Sequence, residues 1–212
     1  MCSSICNKIV NGFYSCGAPL RDACCTMAEK VKEMVTSPVA VGQVVLGAVG
    51  WGVYGYPIST SLGEKVVAVW GMSDTFSDSF AEISPRMQIL LSPFSCVVGP
   101  IIEECAFRGQ LQEMLKDKFE SFYTDQGFSS ADIAARVTSV FFTAIIFGLL
   151  HFSNALFFWR HPVFFLPQVV LAMFGGLISG LSQELSGGLY VPCGIHIANN
   201  TLTWAKHMSA SL

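Results

Sequence analysis

Pro100-Ile101-Ile102-Glu103-Glu104-Cys105-Ala106-Phe107-Arg108-Gly109 sets two adjacent carboxylates and an arginine at the end of an apolar run. An ionised side chain at the centre of a bilayer costs roughly 2.5 to 3.5 kcal/mol on the insertion scale, and such groups usually mark function. Read alone, the decapeptide is a charge cluster that ends a span. Read with Phe147-Gly148-Leu149-Leu150-His151 and His196-Ile197-Ala198-Asn199-Asn200, both inside later apolar runs, it becomes a candidate buried site.

The rest of the chain supports a membrane setting. Of its 212 residues 52% are hydrophobic and 13% charged, and the mean hydropathy is +0.52. A soluble domain carries about a quarter charged residues, so the lipid bilayer is the expected solvent. An open sheet cannot satisfy its backbone in lipid, so the spans must be helices. The predicted fold class is therefore all-α, a polytopic membrane helix bundle. The net charge is -3 and the twelve Lys and Arg are scattered, which excludes the basic footprint of a nucleic-acid binder. Of eight cysteines, Cys96, Cys105 and Cys193 sit in apolar segments and the others precede the first span. Neither group forms a secreted-type disulfide framework.

Hydropathy and breakers divide the chain into a polar N-terminal segment (1–38), a first span with an external loop (39–86), a membrane domain carrying the three motifs (87–206) and a tail (207–212). About five spans are expected, at roughly twenty residues each. They are Val39 to Tyr56, ended by Pro57; Met87 to Phe107, interrupted and kinked by Pro93 and Pro100; Val137 to Trp159; Val163 to Leu181; and Leu189 to Trp204. Val66 to Met72 is too short to span and reads as a surface or re-entrant helix. Arg160-His161-Pro162 reads as a tight turn, and Ser129 or Ser130 as an N-cap. The glycines of the first span suit close helix packing. Lys and Arg near the span ends place 1–38 and 109–136 on the cytoplasmic side.

The spacing within the motifs carries the chemistry. Glu103 and Glu104 point about 100° apart on a helix, whereas Glu104 and Arg108 at i,i+4 share a face. One carboxylate can be held by the arginine while its neighbour stays free to take a proton from water. His151 would lie well inside the third span. His196 and Asn200, again i,i+4, offer two hydrogen-bond donors to one point, as a developing oxyanion requires. Each motif has a plainer reading: an interfacial charge pair, a helix-to-helix hydrogen bond, a polar seam. Glu103, His151 and His196 could also supply a two-His, one-carboxylate zinc set, although no HExxH is present. Metal-activated and carboxylate-activated water both remain open at this point.

The ordered motifs EExxxR (Glu103, Glu104, Arg108), FxxxH (Phe147, His151) and HxxxN (His196, Asn200) resemble those of the CPBP family. These are the CAAX-protease and bacteriocin-processing membrane proteins, also called Abi, which include the type II CAAX prenyl endopeptidases. The likeness covers about residues 87 to 206. It implies an intramembrane endopeptidase in which Glu103 and His151 activate water, His196 and Asn200 stabilise the oxyanion, and Glu104 and Arg108 order the site. It implies either no cofactor or zinc, with the glutamate-type branch favoured. The implied substrate is a membrane-associated protein or peptide that can be prenylated. The implied location is an integral one, in a bacterial inner membrane or an endoplasmic-reticulum-type membrane. The competing class is a non-catalytic scaffold or proton-linked carrier using the same buried groups, and the effect of Glu103→Gln on a cleavage product separates the two.

Overall fold

The computed structural model describes residues 18–70, 83–154 and 165–210. The chain divides into two compact units, Met1–Gly42 and Gln43–Leu212. In the first, the amphipathic helix α1 (Ala18–Thr36) ends at Ser37, whose hydroxyl accepts from the Ala40 N–H at 3.4 Å.

The second unit holds the motifs. α2 (Pro38–Gly50) passes through a π-helical turn, Trp51–Gly55, into α3 (Tyr56–Trp70). Pro57 therefore does not end the first helix, contrary to the sequence reading. The Tyr56 N–H reaches back five residues to the Trp51 carbonyl, and this wider turn absorbs the missing proline donor and relieves the ring clash that would break an α-helix. Most of the expected surface helix, Val66 to Met72, is simply the continuation of this helix; Gly71 and Met72 lie outside the described residues.

The second helix is likewise unbroken. α4 (Pro85–Pro93), a π turn Phe94–Val98, α5 (Gly99–Ala106), a second π turn Phe107–Gln112 and α6 (Glu113–Asp125) follow without interruption. From Arg86 to Asp125 they make one 40-residue helix. α7 (Ala131–Leu150), α8 (Leu166–Ser186) and α9 (Tyr190–Ala210) complete the bundle. No strand occurs among the described residues. Ser130 takes the N-cap position of α7 but makes no side-chain cap bond. Gly187 closes α8 at φ 70°, a left-handed conformation that favours glycine. The expected Arg160-His161-Pro162 turn lies outside the described residues.

Four helices are long and apolar enough to cross a membrane among the described residues: Pro38–Lys65, Arg86–Asp125, Ala131–Leu150 and Leu166–Ser186. This is an integral membrane protein, a polytopic helical bundle. The fifth expected span forms α9, which has the length but carries His196, Asn199, Asn200, Lys206 and His207 and so falls short in apolarity. It nevertheless runs with the bundle. Glu104 meets His196 and Ser95 meets Asn200, so α9 lies antiparallel to the long helix.

Small residues let the helices approach. A methyl at Gly194 would fall 1.9 Å from the Val44 carbonyl oxygen, and one at Gly47 2.3 Å from that of Val191. α2 and α9 therefore touch backbone to backbone, the packing that the glycines of the first span predict. Gly148 against Val169 and Gly176 against Ala144 draw α7 and α8 together in the same way.

Candidate active site

Glu103 and Glu104 sit on α5, the two turns of α-helix between the two π turns. Their divergence on the helix gives them opposite environments. Glu104 is buried, with 1% of its side chain exposed, and Glu103 is 42% exposed. Glu104 Oε2 pairs with the Arg108 Nε at 3.3 Å, the i,i+4 ion pair expected from spacing. Arg108 is itself fully buried; its Nη2 donates to the Gly176 carbonyl at 3.1 Å, and its guanidinium lies 4.5 Å from the centre of the Phe147 ring. An ion pair cut off from solvent needs such added partners to offset desolvation.

The second oxygen of Glu104 orients the imidazole on α9. His196 Nδ1 lies 2.8 Å from Glu104 Oε1; beside a carboxylate this nitrogen is the donor. The other ring nitrogen, Nε2, is thereby turned toward Glu103, whose Oε2 lies 3.7 Å away. That separation is too long for a direct hydrogen bond and suits a shared water molecule.

His151 arrives from α7. It is not well inside the third helix, as its place in the apolar run predicts, but caps the end of it: α7 stops at Leu150, and the His151 N–H turns back to Gly148 and Leu149. Its Nδ1 is 2.9 Å from the Phe147 carbonyl, which leaves Nε2 outward. Phe147 and Phe107 meet edge to face at 5.0 Å. Since α7 runs antiparallel to the long helix, four residues on from Phe147 and four back from Phe107 this register puts His151 level with Glu103. Phe147 also touches both imidazoles edge-on, His151 at 4.9 Å and His196 at 5.8 Å between ring centres. His151 lies within electrostatic reach of Glu103, His196 and Arg108.

Five of the six site residues named from sequence thus gather around Phe147. The sixth, Asn200, stands one turn from His196 on the same face, and its amide donates to the Ser95 carbonyl at 3.0 Å. That carbonyl is open for a definite reason. In the π turn the Gly99 N–H goes to Phe94 rather than Ser95, and the next residue, Pro100, has no N–H to offer. Asn200 takes the acceptor with one amide hydrogen and keeps a second.

Sequence reading missed the polar ladder behind Arg108. Gln112 donates to the Gly180 carbonyl at 3.3 Å and to Glu184 at 2.9 Å, and Gln183 donates to the Arg108 carbonyl at 3.0 Å and to Glu113 at 2.9 Å. Two signals were available: buried-type amides at i,i+4 from Arg108 and on α8, and the Gly176-xxx-Gly180 spacing that lets polar side chains reach a helix backbone. Nearer the end of α7, Gln168 of α8 accepts from the Asn154 amide at 3.0 Å. Among the described residues no three His, Cys, Asp or Glu side chains are grouped to hold a metal ion.

The family model for type II CAAX prenyl endopeptidases, Rce1-like, matches residues 85–202. The chain belongs to this endopeptidase family, in agreement with the resemblance carried by the three motifs. No curated protein and no solved structure matches it.

Proposed function

We propose that this protein is an intramembrane endopeptidase that hydrolyses a peptide bond in a membrane-associated, prenylated protein or peptide by carboxylate-activated water. The observation that carries the reading is the chain Arg108–Glu104–His196–Glu103, in which a buried ion pair orients an imidazole toward a half-exposed carboxylate. Glu103 takes a proton from water as the oxygen attacks the carbonyl carbon. His196, held by Glu104, and the second amide hydrogen of Asn200 stabilise the oxyanion that forms. When the C–N bond breaks, Glu103 returns the proton to the leaving nitrogen, so one water is consumed and the carboxylate is restored. His151, level with Glu103, holds the attacking water from the other side.

Access from the lipid favours a lipid-anchored substrate. Phe94, Val98 and Ile102 recur at i,i+4 on the helix that carries Glu103, and all three are exposed. Such a stripe suits an acyl or prenyl chain lying alongside the scissile bond. The membrane itself we assign to a bacterial inner membrane, or to one of endoplasmic-reticulum type in a eukaryotic host. Incubation of the purified protein in nanodiscs with a farnesylated CAAX peptide tests the reading: wild type should release a cleaved product, Glu103→Gln should not, and a chelator should leave the rate unchanged. Cleavage by Glu103→Gln at the wild-type rate would remove Glu103 as the base, and loss of activity on chelation would restore the metal reading.

A further inference from the structure

The geometry points to Gln183 as a positioning residue for the reaction, acting through Arg108; the inference rests on the endopeptidase reading. Gln183 lies on α8, a helix that carries no residue of the three motifs, and is buried. Its single amide nitrogen spends both hydrogens on the long helix, one on the Arg108 backbone carbonyl inside the π turn that follows Glu104 and one on the carboxylate of Glu113, where α6 begins. A π turn leaves carbonyls without their usual i+4 donors, and such turns persist when the surrounding structure supplies others. Gln183 is that supplier for Arg108.

The ladder fixes register as well as position. Arg108 reaches the carbonyl of Gly176 and Gln112 that of Gly180, both 68 residues away, so the long helix and α8 run parallel and in step. Side chains longer than hydrogen at these two glycines would collide with the ladder: a methyl at Gly176 would stand 3.2 Å from Arg108 Nη2, and one at Gly180 2.8 Å from Gln112 Oε1. Arg108 is thus held by α8 at both ends, its carbonyl by Gln183 and its guanidinium by Gly176. With Arg108 fixed, Glu104 is fixed; with Glu104 fixed, the His196 ring presents Nε2 to Glu103. An amide is required at 183, because a carboxylate there would offer no donor to the carbonyl and would face Glu113 with like charge.

The test uses the full chain in nanodiscs with the farnesylated CAAX peptide and four variants: Gln183→Met, Arg108→Lys, the double variant, and Glu103→Gln as control. Gln183→Met keeps the volume and removes both donors. Its kcat should fall about tenfold, the effect expected of roughly one lost hydrogen bond, with KM within about twofold. In the Arg108→Lys background, which lacks the guanidinium held by Gly176, the same change should lower kcat by no more than about twofold, since coupled residues are not additive. Amide exchange across Phe107–Glu113 should accelerate in Gln183→Met. An unchanged kcat, or a full tenfold loss in the Arg108→Lys background, overturns the positioning role. If wild type leaves the peptide intact, the endopeptidase reading is what fails, and unaltered exchange in Gln183→Met would then overturn the hold on the π turn separately.

Discussion

Glu103 and Glu104 are neighbours in sequence and opposites in environment, and their substitutions should separate accordingly. Glu104→Gln leaves the Arg108 guanidinium buried without its counter-charge, a change that typically costs about 3 to 5 kcal/mol. A clear drop in the thermal unfolding midpoint together with lost activity is expected. Glu103 is half-exposed and makes no contact as close as those of its neighbour, so Glu103→Gln should alter stability by only about 0.5 kcal/mol while abolishing hydrolysis. Equal destabilisation by the two variants would contradict the division of labour. Asn200→Ala is intermediate. In the proposed mechanism it removes an oxyanion donor, for which a rate loss of roughly a hundred- to a thousandfold is expected with KM little changed. It also strands the Ser95 carbonyl at about 1 kcal/mol. Kinetics and thermal unfolding of the same purified variant measure both effects.

At the scale of elements, two adjacent glycines on α8 make a sharp comparison. A methyl at Gly175 meets nothing within 4 Å, whereas one at Gly176 meets Ala144 Cα at 3.1 Å and Arg108 Nη2 at 3.2 Å. Gly175→Ala should be neutral or stabilising by about 0.5 to 1 kcal/mol through helix propensity. Gly176→Ala should destabilise by about 1 to 3 kcal/mol through overpacking and lower activity by displacing Arg108. Parallel melting curves and turnover measurements decide it. The Glu104–Arg108 pair and the shared face of His196 and Asn200 were legible in the sequence because i,i+4 spacing is a local rule. The π turns were not, since a π turn is selected by distant donors: Asn200 for Ser95, Gln183 for Arg108. Pro57 reads as a stop yet lies within a continuous helix, because the π turn before it accommodates the ring. The end of α7 at Leu150 was hidden because Phe152 and the apolar residues beyond it prolong the hydropathy signal past the point where the backbone turns. α9 shows the converse, a bundle helix made less apolar by the very groups that build the site.

The 40-residue helix sets the depth of the site in the whole molecule. At about 1.5 Å per residue it is about 60 Å long, twice the roughly 30 Å hydrocarbon core. Half of it must therefore leave the membrane. The apolar part begins after Arg86, and Glu103 follows seventeen residues later, about 26 Å along the axis. The carboxylates thus lie near the boundary where α6 emerges, with Asp117, Lys118 and Glu120 exposed beyond them. Water can reach Glu103 from that side, while the Phe94, Val98 and Ile102 stripe keeps its contact with lipid. We propose that this side faces the cytoplasm, on the strength of the Lys and Arg of residues 109–136. In a background with the native cysteines replaced, a cysteine at Glu120 should therefore react with a membrane-impermeant maleimide in inside-out vesicles and resist it in intact cells. One at Gln110, closer to the boundary, should follow the same pattern more slowly. Labelling of Glu120→Cys in intact cells would invert the orientation and require the substrate to present its scissile bond from the external face.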